Sequence, residues 1–156
     1  MNFRISALPA EPFAPLFALP ADRLADCLAL RRTATRRPGF ACRVSLQDAQ
    51  VGEEVLLVNY MHQGTASPYR ASHAIFVRKG AAQAQLAVDE VPEVLRSRVL
   101  SLRAFDEQGL IVTADLCEGR QVENLLMAQL AQRAVAYVHI HFARFGCYAA
   151  RADRVG

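Results

Sequence analysis

Two histidines one residue apart, His139-Ile140-His141, stand near the end of this chain, and Cys147 follows them just past a glycine. Side chains alternate across a strand, so His139 and His141 would project from one face about 6–7 Å apart, two rises of ~3.3 Å. Two imidazoles at that spacing suit a pair of metal ligands, or a base beside an orienting or anion-binding group. A thiol near an imidazolium or a guanidinium ionises more readily, which makes Cys147 a candidate nucleophile. His139, His141 and Cys147 are therefore the candidate catalytic residues.

A metal ion would lack a third ligand at any familiar spacing. No Glu follows at the distance a cupin-type site uses, and Ala143 stands where a histidine-triad phosphoryl-transfer motif has its third histidine. No metal is assigned on this pattern; if one were held, His139 and His141 would hold it. His73 begins another strand, His62 lies in the loop before it, and both could converge on the pair. Tyr69 and Arg70 lie in a loop that could bind a ligand, and Arg70, Arg43 and Arg144, all near turns, could clamp an anion through the planar guanidinium fork. Cys42 sits just beyond the Pro38-Gly39 turn, as Cys147 does beyond Gly146. Each candidate also has a plainer role: hydrogen-bonded histidines on a half-exposed sheet face, solvated arginines, or buried thiols acting as small hydrophobes. Cys27 and Cys117 lie in apolar patterns and read as core.

The elements that must position these groups follow from periodicity. Residues 135–142 have strand composition, with Ala136, Val138, Ile140 and Phe142 on one face and Tyr137, His139 and His141 on the other. A turn at 143–146 returns Cys147 and Tyr148 beside them. Residues 119–133 carry the clearest helix, with Val122, Leu125, Leu126 and Leu130 as its apolar stripe and Arg120, Glu123, Gln129 and Arg133 outward. If that helix packs on the apolar face of 135–142, the histidines occupy an open sheet face. Strands are also expected at 55–60 and 73–78, and a hairpin joins 99–105 to 110–117 through Asp106-Glu107-Gln108-Gly109. Pro92 opens a short helical turn. Pro20 opens another, with Leu24 and Leu28 one turn apart. The pattern predicts an α+β fold: a mainly antiparallel sheet, one long helix on one face, and short helical turns. No linker or repeat divides the chain, so 1–156 reads as one domain, with residues 1–20 as a proline-punctuated arm laid over it.

With 156 residues, 53% of them hydrophobic and 21% charged, the chain can bury a core without disulfides or metal. Net charge is only +3, too little to argue for nucleic acid. Arg31, Arg32, Arg36 and Arg37 form the nearest basic cluster and read as a solvated edge strand with a charged turn. No apolar run approaches the roughly 20 residues that span a bilayer. Pro9, Pro12, Pro15 and Pro20 interrupt any signal-peptide core, and no C-x-x-C pairs the four cysteines. These features place the chain in the cytoplasm, away from membranes, with reduced thiols. A Gly-rich nucleotide loop and a G-x-S-x-G elbow are both missing.

Several stretches together resemble one family: Pro38-Gly39-Phe40-Ala41-Cys42-Arg43-Val44-Ser45-Leu46, Ser67-Pro68-Tyr69-Arg70-Ala71-Ser72, Ile75-Phe76-Val77-Arg78, Leu102-Arg103-Ala104-Phe105-Asp106 and His139 through Tyr148. The chain resembles the bacterial family catalogued as domain of unknown function 1203. That resemblance implies a bacterial stand-alone domain of this size and brings no activity, cofactor or catalytic assignment. Phe142 and Ala41 stand where family members often carry Asn and Pro, which puts a polar role at position 142 in doubt. Two functions fit the residues. One is a binding or enzymatic domain for a small anionic molecule on the histidine face. The other is a non-catalytic homodimer or partner module using that face through Tyr137, His139 and Phe145.

Overall fold

β-branched and aromatic residues at alternating positions build two five-stranded sheets. The computed structural model describes residues 2–156. Its strands are β1 (Asn2–Ser6), β2 (Ala29–Thr33), β3 (Ala41–Cys42), β4 (Gln47–Asp48), β5 (Glu54–Gln63), β6 (Ala71–Arg78), β7 (Val99–Phe105), β8 (Ile111–Glu118), β9 (Tyr137–Phe142) and β10 (Tyr148–Val155). The α-helices are α1 (Ala21–Asp26), α2 (Glu93–Arg96) and α3 (Val122–Leu130), with 3-10 turns at Ala14–Ala18 and Gly119–Gln121. The chain folds as two compact units. One comprises Met1–Ser6, Met61–Ser72 and Gln85–Gly156; the other comprises Ala7–Tyr60 and His73–Ala84.

In the first unit the sheet order is β1-β10-β9-β7-β8, antiparallel at every step. The hairpins expected at 99–117 and beyond His141 both form. Asp106 Oδ1 accepts the amides of Gln108 and Leu110 at 2.9 Å, and Gly109 at φ 77° closes the first turn. Helix α3 packs on this sheet through Val122, Leu126 and Leu130, all fully buried.

The expected helix over 119–133 is shorter than its periodicity suggested: three 3-10 residues and then nine α-helical ones. It ends where the chain must turn into β9, since Val135 N bonds Gln132 O and Ala136 N bonds Phe105 O at 2.7 Å. Gln129, expected outward, is buried. It lies three residues after Leu126 on the packed face, and its Nε2 reaches Leu102 O at 3.5 Å.

The second unit holds a sheet of order β2-β5-β6-β3-β4, with β3 parallel to β6 and β2 at an edge. Edge placement of β2 agrees with its run of arginines. Arg31 pairs with Glu54 at 3.3 Å and donates to the carbonyls of Phe17 and Leu19. Residues 14–18 of the arm coil into a 3-10 turn. Two expectations fail here. Leu28 lies beyond α1 in a left-handed conformation (φ 53°) and is 70% exposed. Cys27, at the C-cap of α1, is exposed instead of core. No described helix is long and apolar enough to cross a membrane.

Candidate metal centre

Cross-strand partners in an antiparallel sheet share a face. On β9 that face carries Tyr137, His139 and His141. Their partners on β7 are Phe105, Arg103 and Ser101, and on β10 they are Asp153, Arg151 and Tyr148. The ring centroids of His139 and His141 lie 6.4 Å apart, as two strand rises require.

The third histidine comes from the far end of β5. Strand β5 runs to Gln63, so His62 stands on a strand and not in the loop where the sequence placed it. Its segment, Met61–Ser72, belongs to the first unit and is anchored there. Gln63 is buried; its Nε2 donates to Tyr137 Oη at 3.0 Å and its Oε1 accepts Thr65 N at 3.3 Å. Ser67 Oγ donates to Gly109 O at 2.9 Å, Arg70 donates to Gly64 O, and Tyr69 meets Phe105 edge-on. This loop delivers His62 to the histidine face of β9.

His62 lies edge-on to His141 at 4.9 Å and to His139 at 6.3 Å, and parallel to Tyr148 at 5.9 Å. One ligating nitrogen from each of His62, His139 and His141 can be chosen so that all lie within 4.8 Å of one another. His139 and His141 are 4% and 1% exposed. Burial, reinforced for His139 by the charges of His62, Arg151 and Arg103, brings the pKa of both to about 3. Both are therefore neutral near pH 7, the form that ligates metal. His141 Nδ1 lies 2.9 Å from Gly146 O, a contact that needs the proton on Nδ1 and leaves Nε2 as a lone-pair donor. His139 Nδ1 is buried with no hydrogen-bond partner among the described residues.

Residues 39–154 match the profile of a protein family of unknown function, DUF1203. The chain belongs to DUF1203. No curated protein and no solved structure matches it.

In this DUF1203 protein the matched residues include all three histidines of the cluster. The other expected site residues are not among the three whose ligating atoms converge. Cys147 is buried, and the Phe142 N–Cys147 O bond of 2.9 Å pairs it with Phe142, on the helix-packed side. Cys42, Arg43 and His73 belong to the second unit. Cys42 is buried, with its Sγ accepting the amides of Ser45 and Arg78; Arg43 is buried, with its guanidinium on Ala41 O. His73 Nδ1 lies 3.0 Å from its neighbour's carbonyl, Ala74 O. In the first unit Tyr69, Arg70 and Arg144 are exposed, and Arg70 serves the loop carbonyl at Gly64.

The histidine face is not open, as the sequence suggested it would be. Of the three residues offered for a partner interface, His139 is buried, Tyr137 is half-buried and Phe145 alone is freely exposed, at 79%. Phe142 fills its position as core, with the Arg98 guanidinium 5.0 Å over its ring. Sequence reasoning passed over Arg103, Arg151 and Gln63. The alternation Ser101, Arg103, Phe105 on β7 was visible, but only the register shows that it faces the histidines.

Proposed function

We propose that this protein holds one divalent transition-metal ion between His62, His139 and His141 and uses it to bind or process a small molecule. The observation that carries this is the convergence of three ligating nitrogens within 4.8 Å. Neutral imidazoles, a tautomer set by Gly146 O and a buried His139 nitrogen with no partner among the described residues all support it. Tetrahedral zinc with Zn–N of about 2.0–2.1 Å puts its nitrogens about 3.3 Å apart, so the rings would draw together by an ångström or more. Three histidines leave a fourth position for water or a ligand, as in catalytic zinc sites and unlike closed structural ones. An ion of this class supplies Lewis acidity at that position.

Cobalt titration of chelator-stripped protein tests the centre. The wild type is expected to take up one Co²⁺ per chain with the absorption of a tetrahedral site. His62→Ala, the least buried of the three, is expected to bind at least about 100-fold more weakly while remaining folded. Absence of stoichiometric uptake, or equal affinity in His62→Ala, would overturn the proposal. If the metal is absent but Tyr148 and the histidines shift together on ligand addition, the same cluster works as a metal-free polar site.

A further inference from the structure

His139 has an arginine directly opposite it on each neighbouring strand, Arg103 on β7 and Arg151 on β10. The two differ in their partners. Asp153 holds Arg151 through three contacts of 2.7–3.0 Å, and the Arg151 guanidinium lies 4.2 Å over the Tyr137 ring. Arg103 is half-buried, its Nε donates to Ser101 Oγ at 3.4 Å, and it makes no ion pair with any described carboxylate. A guanidinium cannot shed its charge as the histidines do, so partial burial without a counter-ion is a standing cost. The three ligating residues bring no negative charge either. A dication among them would leave the site more positive still. What Arg103 lacks, and Arg151 has in Asp153, is an anionic partner among the described residues.

We propose that Arg103 binds a carboxylate group of the molecule that occupies this site, with the rest of that molecule directed toward His62, His139 and His141. A planar carboxylate matches the guanidinium fork with two parallel hydrogen bonds. Of the two forks opposite His139, only that of Arg103 lacks a described carboxylate partner, which fits one carboxylate better than a doubly charged phosphate. The anion would also offset the charge of an ion bound by the histidines. The ligand's second contact rests on the metal-centre proposal; the Arg103 contact does not.

The test titrates acetate and, separately, inorganic phosphate into wild-type protein, both chelator-stripped and Co²⁺-loaded. The ¹⁵N signal of Arg103 Nε–H reads the stripped form, and the cobalt absorption reads the loaded form. Acetate is expected to shift the Arg103 signal saturably and to bind more tightly than phosphate. Arg103→Met should weaken acetate binding at least tenfold, and Arg103→Lys should weaken it less. An unmoved Arg103 signal would overturn the proposal, as would undiminished acetate binding in Arg103→Met. Phosphate binding as tight as acetate would overturn the carboxylate assignment. If no cobalt binds, the metal centre fails on its own, and the stripped protein still decides Arg103 without a variant having to fold.

Discussion

Burial pulls down the pKa of both kinds of base on the histidine face, with opposite outcomes. His139 and His141 respond by staying neutral, whereas Arg103 stays charged although burial pulls its pKa down. The histidines tie stability to pH. Their folded-state pKa of about 3 lies below the unfolded 6.5, so the unfolded chain takes up protons first as pH falls. Metal-free protein should hold its full stability above pH 6.5 and lose it from there toward pH 3. The expected slope is up to roughly 1.4 kcal/mol per pH unit for each histidine. Urea unfolding between pH 7 and 4.5 reads this window ahead of ordinary carboxylate titration, and a flat profile there would contradict it. Gln63 is a second residue-scale test. Gln63→Leu strands the Tyr137 hydroxyl and should cost about 1–2 kcal/mol. It should also weaken cobalt binding about tenfold by loosening His62, the neighbouring residue. Unchanged cobalt affinity would show that Gln63 does not position the site.

Elements were legible where local chemistry decides them. Strand β7, the β7–β8 turn, the helical turn after Pro92 and the turn returning from His141 follow from alternation, glycine and proline. Lengths were less legible. The periodicity of α3 would allow another turn, but β9 needs those residues to reach its register with Phe105. Strand β5 continues through His62 because Gln63 and Thr65 are tied into the first unit, and nothing local announces that. The junction before α3 offers a direct test. A Cβ on Gly119 would lie 1.9 Å from Leu95 O and 2.7 Å from both Arg96 O and Arg98 O. These are backbone atoms and cannot swing aside. Gly119→Ala should therefore destabilise the protein by about 3 kcal/mol, at the upper end of overpacking costs. A thermal midpoint within a degree of the wild type would refute this.

At the scale of the whole molecule, a metal that binds only the folded chain must stabilise it. At a free cobalt concentration of 100 times its dissociation constant the gain is about 2.7 kcal/mol. For a chain of this length that corresponds to a rise of about 5–10 °C in Tm, reversed by chelator and absent in His62→Ala. Differential scanning calorimetry with and without cobalt measures it. The sequence by itself determined the strand alternation that puts His139 and His141 on one face, the hairpins around them and membership in DUF1203. These follow from local periodicity and from ordered motifs along the chain. Only the tertiary structure decided that His62 completes the cluster, that Cys147 turns away, that His139 and His141 are buried and that Arg103 stands beside His139. Each depends on which strand lies next to which and in what register, and those pairings join residues whose distance along the chain carries no signal of their contact.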